Sequence, residues 1–277
     1  MEQPASLIEY PIRGDRISLR VSTREHLCRR RTAFQQIDVY DTEALGRVLL
    51  LDGHIQLSEL DEHAYHEALV HIPFLSLQAP RSALVVGGGD GGAVRELAKH
   101  AELDLIEIVE IDEGVLEECA RHLPFLQDGA FDDPRVKVHI ADALAFLAAK
   151  PGPYDLIVLD VTDVYEDEEG ELSEQVFSRD FYVDCKNALR RGGILVTQAD
   201  NHVLCPFSLG SVLAMLSSVF PRVGCYQAAV PSFGGFSGYA WASEGAEVRR
   251  SMPLVGDVAL RYLSESTWRF ALEMELF

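Results

Sequence analysis

The spacing of hydrophobic and polar positions along the chain changes near residue 75. Before that point, apolar residues alternate with polar ones or form a brief run in the segments 17–21, 34–40, 47–51 and 54–57. This pattern predicts short β-strands, and Asp52-Gly53 is a strong turn signal between the last two. From Asp61 the apolar positions suit one face of a helix. Residues 1–75 are therefore predicted to form a small N-terminal antiparallel β-domain.

Beyond Pro80, apolar strands alternate with helical segments. The expected strands are 83–86, 105–109, 136–140, 155–159 and 193–197. The expected helices are 93–100, 113–122, 143–149 and 181–189. This alternation predicts an α/β fold with a doubly wound, mainly parallel, Rossmann-like sheet, and near-continuous apolar strands are typical of a sheet covered on both faces. Residues 76–277 are predicted to form this larger domain.

The chain is strongly acidic, with 44 Asp and Glu residues against 24 Lys and Arg residues and a formal net charge of -20. Such a surface repels phosphates and anionic lipids, so we expect neither a nucleic-acid partner nor a membrane partner. It attracts cationic small molecules, although acidity that only serves solubility is the alternative. No apolar run reaches the length of about 18 residues that a membrane span needs.

The cysteines indicate a reducing environment. They are Cys28, Cys119, Cys185, Cys205 and Cys225. Their odd number and the absence of a CxxC pair argue against a disulfide framework and against a zinc site, and we expect no metal. The N-terminus has no basic region followed by an apolar stretch, so no signal peptide is expected and the predicted location is cytoplasmic.

A glycine-rich turn at 87–92 follows the first strand of the predicted sheet. Ligands of such sheets bind at the carboxyl ends of the strands, so the turn predicts a nucleoside-type ligand, although it also suits tight strand–helix packing. Asp90 lies inside the turn, whereas a phosphate site favours bare backbone N–H groups. The ligand at this turn is therefore expected to carry a positive charge rather than a phosphate.

Acidic residues also follow the next three strands. Glu110 occupies a position where an acid commonly holds two ribose hydroxyls, or it is a solvated strand end. Asp142 is predicted to accept from an adenine amine, to cap the next helix, or to do both. Asp160 and Asp163 suit binding of an amine cation or removal of its proton, and the alternative is a capped loop. The acidic run 166–171 is either a solvated face or a segment that steers a polycation inward.

Several short motifs follow one another at characteristic distances between residues 34 and 243. They are Phe34-Gln35-Gln36-Ile37, Leu51-Asp52-Gly53 with Gln56, Asp61-Glu62, Tyr65-His66-Glu67, the glycine turn with Arg95-Glu96 and His100, Glu110-Ile111-Asp112, and Thr197-Gln198. Each motif alone is modest, but their order and spacing are highly specific. Together they resemble the polyamine aminopropyltransferases, the spermidine synthase family.

The resemblance implies a Rossmann-like catalytic domain behind a small β-domain, and a homodimer or homotetramer. It implies decarboxylated S-adenosylmethionine as a co-substrate, with no further cofactor, and a small-molecule di- or polyamine as acceptor. Putrescine, which would give spermidine, is the default acceptor. The residues that would bind the donor are Gln35, His66, Asp90, Glu110, Asp142 and Ala143. Among them, Asp90 would bind the aminopropyl ammonium, with His66 nearby.

On the acceptor side, the resemblance assigns Asp160 as the catalytic base. Tyr65 and Asp163 would place the acceptor amine, and Gln198 and Phe233 are the further residues expected to bind it. The proposed chemistry is an in-line attack of the neutral amine on the carbon beside the sulfonium, with methylthioadenosine as the leaving group. Alignment of the reactants and removal of the amine proton would supply most of the rate.

The departures from the family pattern concern the acceptor side. The segment after Asp160 lacks the usual prolines and glycine and is longer, and Phe233 stands where the family usually has a tyrosine. Donor residues match the pattern, so aminopropyl transfer is favoured more firmly than any particular acceptor. Two alternatives stay open from the sequence: a methyltransferase that uses S-adenosylmethionine, and a non-catalytic protein that binds a polyamine or a nucleoside.

Overall fold

The computed structural model describes residues 6–14, 16–149, 151–162 and 178–273 of the chain. Its first part is a five-stranded antiparallel sheet in which the strands follow in chain order. The strands are β1 (Ser6–Arg13), β2 (Ile17–Arg31), β3 (Gln36–Thr42), β4 (Gly46–Leu51) and β5 (His54–Ser58). The predicted turn between β4 and β5 is confirmed, because Asp52 and Gly53 both have positive φ, as a two-residue hairpin turn requires.

The second part is a seven-stranded sheet with the order β11-β12-β10-β9-β6-β7-β8. Its strands are β6 (Ser82–Gly87), β7 (Leu105–Glu110), β8 (Val136–Ile140), β9 (Tyr154–Asp160), β10 (Leu189–Gln198), β11 (Arg222–Val230) and β12 (Gly235–Ser243). Strands β6 to β10 run parallel to one another, and at one side β12 pairs antiparallel with both β10 and β11. The predicted mainly parallel, Rossmann-like sheet is thus confirmed.

Helices connect these strands and cover the sheet. They are α1 (Glu62–Phe74), α2 (Gly92–Ala98), α3 (Glu113–His122), α4 (Pro124–Gln127), α5 (Ala143–Ala148), α6 (Arg179–Ala188), α7 (Pro206–Ser217) and α8 (Glu265–Leu272). Two large apolar clusters bury the two faces of the sheet. Because both faces of the sheet are buried, its strands consist of nearly continuous apolar residues.

Helix α1 packs with α2 and with the large sheet, and twelve of its thirteen residues are buried. A separate apolar cluster joins the small sheet to α3 through Ile37, Val39 and Val115. The small sheet therefore contacts the large domain beside the end of strand β7. Division of the chain near residue 75 stays a prediction.

Most of the elements that the sequence pattern did not predict lie in the last third of the chain. Strands β11 and β12, together with α7 and α8, lie beyond residue 198, and β1 lies before the first predicted strand. No helix among the described residues is long and apolar enough to cross a membrane. All five cysteines lie in the described part of the chain, and none of them is in a disulfide.

Candidate active site

A cavity of about 370 Å³ opens at the carboxyl ends of β6, β7, β9 and β10, with the small sheet along one side. Nine of the predicted site residues line it: Gln35, Tyr65, Asp90, Glu110, Asp142, Ala143, Asp160, Gln198 and Phe233. His66 lies behind the cavity wall, and Asp163, like the acidic run 166–171, falls outside the described residues. The fold thus brings together residues that are up to 198 positions apart in the sequence.

The glycines of the turn allow the ends of neighbouring strands to approach. Gly87 and Gly88 have φ values of +75° and +67°, and a Cβ on Gly87 would lie 2.3 Å from the carbonyl oxygen of Asp160. A Cβ on Gly89 would lie 2.9 Å from Glu110 Oε2. The close-packing interpretation of the turn is therefore confirmed, and this packing brings the acids of adjacent strands into one cavity. The ligand site stays a prediction.

Glu110 is fixed by main-chain donors at the end of β7. Its Oε1 accepts from the Asp112 N–H at 2.9 Å and its Oε2 from the Gly89 N–H at 3.2 Å. Burial raises the pKa of Glu110 to about 7, more than these hydrogen bonds lower it. A ligand that presents hydroxyl donors or positive charge would therefore favour the ionised form.

The other donor-side residues are held by local hydrogen bonds. Gln35 Nε2 donates to Asp112 Oδ2 at 3.1 Å, which ties the small sheet to the start of α3. Asp142 is the N-cap of α5, because its Oδ1 accepts from the Leu144 N–H at 2.8 Å. Both of its predicted roles are compatible, since Asp142 and Ala143 also line the cavity.

Asp160 is the last residue of β9 and lines the cavity, and only one of its two carboxylate oxygens is hydrogen-bonded among the described residues. The Tyr65 hydroxyl donates to its Oδ1 at 2.6 Å, whereas its Oδ2 is buried with no hydrogen-bond partner among the described residues. Burial raises the pKa of Asp160 to about 6, with a further contribution from nearby Asp90. An unpaired buried oxygen is costly unless a ligand or a proton satisfies it, so this atom suits an amine donor.

Asp90 and His66 form a buried pair next to Asp160. One ligand atom of each of these three side chains lies within 4.8 Å of the others. Asp90 Oδ1 accepts from the Gly92 N–H at 2.7 Å and lies 3.4 Å from His66 Nε2. His66 thus contacts Asp90 from behind, and its predicted contact with the donor is at most indirect. A cation bound between these carboxylates, whether an ammonium or a metal ion, would be stabilised by them.

A second group with metal-ligand geometry consists of Cys28, Glu118 and His122. It lies on β2 and α3, away from the cavity lining. Glu118 already pairs with Arg30 at 3.0 Å and with Arg121 at 3.7 Å. Two neighbouring guanidinium groups disfavour a divalent cation there, and the group is best described as an ion-pair cluster.

Gln198 and Phe233, which were predicted to bind the acceptor, both line the cavity. The Gln198 amide is bound to main chain, because Nε2 donates to the Val161 carbonyl at 2.8 Å and Oε1 accepts from the Asp200 N–H at 3.0 Å. It therefore fixes two loops that border the cavity. The ring of Phe233 meets the ring of Tyr65 edge-on, with centroids 5.7 Å apart.

Three acidic residues of the motifs hold other segments of the protein in place, a role that the sequence did not predict. Asp61 accepts from Ser58, from Ser232 Oγ at 2.8 Å and from the Ser232 N–H at 2.7 Å, which holds the turn that carries Phe233. Glu67 accepts three main-chain N–H groups, and Glu62 binds His66. Acidic residues inside an apolar helical pattern were the available signal for all three.

Comparison with known proteins is consistent with this geometry. The model of the spermine/spermidine synthase domain matches residues 62–252, and that of the spermidine synthase tetramerisation domain matches residues 8–59. The chain belongs to this family of polyamine aminopropyltransferases. The first match begins at α1, so that helix falls with the larger domain in the family description.

Individual family members are similar over most of the chain. Polyamine aminopropyltransferase 1 of Pseudomonas aeruginosa is 40% identical over 225 residues, which cover 81% of this chain and 77% of that protein. The polyamine aminopropyltransferase of Pyrobaculum calidifontis is 38% identical over 83% of this chain and 79% of its own length.

Solved structures of spermidine synthases share the fold. One, a spermidine synthase in complex with the transition-state analogue AdoDATO, has a TM-score of 0.91 at 25% identity and covers 99% of this chain and 94% of that one. The spermidine synthase of Thermotoga maritima has a TM-score of 0.90, also at 25% identity, over 99% of this chain and 93% of its own. The family and the fold predicted from the motifs are both confirmed.

Proposed function

We propose that this enzyme transfers the aminopropyl group of decarboxylated S-adenosylmethionine to an amine acceptor and releases methylthioadenosine. The observation that carries the proposal is the pair of partly buried carboxylates, Asp90 and Asp160, at the glycine turn of a nucleoside-type cavity. Such a pair favours a ligand with two positively charged or hydrogen-bond-donating centres. These two carboxylates would repel a ligand phosphate or a ligand carboxylate in the same place.

The donor side suits a nucleoside that ends in an ammonium group. Glu110 is positioned to accept from ribose hydroxyls, and Asp142 from an exocyclic adenine amine. Asp90 would then face the aminopropyl ammonium. The same carboxylate would repel the α-carboxylate of ordinary S-adenosylmethionine, which discriminates against methyl transfer.

The acceptor side suits removal of one proton. The amine is protonated in water, with a pKa near 10, and must become neutral before it attacks. Asp160 Oδ2 would accept that proton, or would hold the amine while water removes it. The new C–N bond forms as the C–S bond breaks, the sulfur keeps the electron pair of that bond and becomes a neutral thioether, and the positive charge passes to the new ammonium nitrogen. Since the sulfonium leaves readily, alignment and deprotonation carry most of the catalysis.

The acceptor is proposed to be a di- or polyamine, with putrescine as the default. Tyr65, Gln198 and Phe233 line the cavity and are proposed to bind the acceptor, and Asp163 is proposed to place the acceptor amine together with Tyr65. Phe233 offers an apolar face where a tyrosine would offer a hydroxyl. This favours contact with the methylene part of the acceptor over a hydrogen bond to its nitrogen.

We also propose a homo-oligomer, a dimer or a tetramer, because residues 8–59 match a tetramerisation domain. A reducing cytoplasm stays the proposed location, which suits cysteines that form no disulfide among the described residues.

The test is incubation of the purified enzyme with decarboxylated S-adenosylmethionine and a panel of amines that includes putrescine, cadaverine, agmatine and spermidine. Methylthioadenosine release and the mass of the product amine would be measured, with ordinary S-adenosylmethionine as the control donor. Release of S-adenosylhomocysteine from the control would favour a methyltransferase. Donor binding without product from any amine would favour a non-catalytic binding protein.

A further inference from the structure

A line of four side chains, of which the middle two are buried and the outer two partly buried, runs from the cavity wall into the interface between α1 and α2. His66 Nε2 lies 3.4 Å from Asp90 Oδ1, and His66 Nδ1 lies 2.9 Å from Glu62 Oε2. Arg95 Nη2 donates to the same Glu62 oxygen at 2.8 Å, and Arg95 Nη1 reaches Glu62 Oε1 at 3.2 Å. The side chains of His66 and Glu62 are each only 1% exposed. Water therefore contributes little to the charge state of this line.

The geometry determines which protons the His66 ring carries. Each ring nitrogen faces an oxygen of an ionisable carboxyl group, and carboxylates only accept hydrogen bonds. A neutral imidazole has one N–H, so it would leave one nitrogen lone pair against an oxygen lone pair. An imidazolium donates to both Glu62 and Asp90. The four groups then form two opposite-charge pairs with no net charge, which suits a buried site.

The charged and titratable groups around the ring come from three elements. Glu62 approaches from α1, Asp90 from the turn before α2, and Asp160 from the end of β9, with Arg95 of α2 behind Glu62. The neighbouring Tyr65 ring meets the imidazole edge-on at 5.1 Å. Anionic groups thus dominate the immediate surroundings of His66, and the nearby Arg95 cation is already bound to Glu62.

The position of the ring is also fixed sterically. A Cβ on Gly92 would lie 2.3 Å from His66 Cε1, so the ring fits against the first turn of α2 only because residue 92 is glycine. The Gly92 N–H and His66 both contact Oδ1 of Asp90. The second oxygen, Oδ2, is thereby left for a ligand in the cavity.

We propose that Glu62 and Arg95 are positioning residues that hold His66 as a fixed imidazolium, and that this imidazolium keeps Asp90 ionised and oriented toward the donor ammonium. The role given to Asp90 rests on the proposed aminopropyl transfer. The charge state of His66 does not, because it follows from contacts in the ligand-free protein.

The electrostatic balance agrees with the geometry. Burial lowers the pKa of His66, but Asp90 and Glu62 outweigh it and raise that pKa to about 10. Burial likewise raises the pKa of Asp90, and His66 outweighs it so that the net shift is downward. Loss of the Glu62 charge, with Arg95 left unpaired, would remove part of the rise in the His66 pKa, and the Asp90 carboxylate would supply the rest.

The first test measures the His66 ring directly in the ligand-free enzyme. Its ¹³Cε1–¹H signal, assigned by its absence from the His66→Gln variant, is followed from pH 6 to pH 9. In the wild type the signal should stay at its protonated position throughout. In Glu62→Gln it should titrate within this range. A wild-type signal that titrates near the ordinary histidine pKa of about 6.5 would overturn the proposal.

The second test is kinetic and uses Glu96→Gln as the matched control. Glu96 is also 1% exposed and binds Arg95 Nε at 2.8 Å, but its other partners, His71 and Lys99, face away from the cavity. Glu62→Gln should raise the donor KM, and the rise should grow from pH 7 to pH 9, because the His66 ring loses its proton there and no longer pairs as a cation with the Asp90 carboxylate. Glu96→Gln should leave the pH dependence of the donor KM unchanged.

An equal change in the pH dependence of the donor KM in both variants would mean that the whole network acts only through stability, and the positioning role would be wrong. If Glu62→Gln fails to fold, the wild-type His66 titration alone decides the charge state. Absence of aminopropyl transfer by the wild type would instead refute the proposed function and leave the His66 result untouched, so the two failures are distinguishable.

Discussion

At the scale of single residues, Asp160 is the side chain with a carboxylate oxygen that is available to bind a ligand. Tyr65 binds one carboxylate oxygen, and the other has no partner among the described residues. Replacement by asparagine keeps the size and the contact with Tyr65 but removes the basic oxygen. Asp160→Asn should lower kcat by about 10²–10⁴-fold, the usual worth of a positioned base. The donor dissociation constant, measured by calorimetry, should change little, and normal turnover would refute the assignment.

The pH dependence follows from the same carboxyl group. Burial and Asp90 raise the pKa of Asp160 to about 6, so its proton-accepting form is lost as the pH falls through 6. The profile of kcat/KM should therefore show an acid limb near that pH. The Tyr65 hydrogen bond lowers this pKa, so Tyr65→Phe should move the limb to higher pH. A limb that moves to lower pH in Tyr65→Phe would contradict the prediction.

Phe233 is the residue-scale test of acceptor choice. It lines the cavity against Tyr65, and its backbone is held by Asn201, whose Nδ2 donates to the Phe233 carbonyl at 2.8 Å. Phe233→Tyr adds one hydroxyl that can bind an amine nitrogen, worth about 1 kcal/mol. The KM for putrescine should fall by roughly fivefold, with kcat nearly unchanged. Kinetics on putrescine and on a longer triamine would show whether the change is selective, and an unchanged KM for both would exclude this role.

At the scale of elements, α1 joins the site to the rest of the molecule. Tyr65 contacts Asp160, and His66 contacts Asp90. On another side of the helix, Glu67 accepts the N–H groups of residues 261, 262 and 263 at 2.6, 2.9 and 2.8 Å. One short motif on this helix therefore contacts two carboxylates of the cavity and the C-terminal segment.

Glu67→Gln should destabilise the protein, because an NH₂ group would replace one accepting oxygen opposite buried N–H donors. The expected loss is about 2–3 kcal/mol in the free energy of unfolding, measured by urea denaturation. Glu43→Gln is the matched control, since Glu43 is exposed, and it should change stability by less than about 0.5 kcal/mol. Equal losses in the two variants would show that the three contacts contribute nothing specific.

At the scale of the whole molecule, the net charge of -20 acts on every cationic substrate. A negative field raises the local concentration of polyamines, and salt screens it over a Debye length of about 10 Å at 0.1 M. The KM for a diamine should rise as sodium chloride increases from about 20 to 200 mM. The inhibition constant of a triamine should rise more steeply because it carries more charge. Equal salt slopes for the two amines would indicate that the acidity serves only solubility.

Sequence and structure agree best where the local pattern is strong. The predicted segments from the β4–β5 hairpin to β10 correspond to observed elements, because apolar runs and turn residues dictate them locally. Strands β11 and β12 were not predicted. Strand β12 pairs antiparallel with β10, which ends about 40 residues earlier, and β11 pairs antiparallel with β12, so the place of both strands in the sheet depends on a distant contact rather than on local spacing.

The candidate site divides in the same way. The motifs put Asp90, Glu110 and Asp160 at strand ends, and parallel topology alone requires such ends to meet at one edge of the sheet. The motifs also contained Asp61, Glu62 and Glu67 without indicating what each one binds. Their partners are as distant as residues 232 and 261–263, so no local spacing could identify them.

By itself, the sequence determined the strand–helix rhythm, the acidic charge, the family and the carboxylates that would meet a cationic nucleoside. These follow from local periodicity, composition and ordered motifs. Only the tertiary structure decided that His66 lies behind Asp90, that the Gln198 amide binds main chain, and that one oxygen of Asp160 has no partner among the described residues. These facts depend on which side chains share a buried volume, and the packing of distant segments sets that.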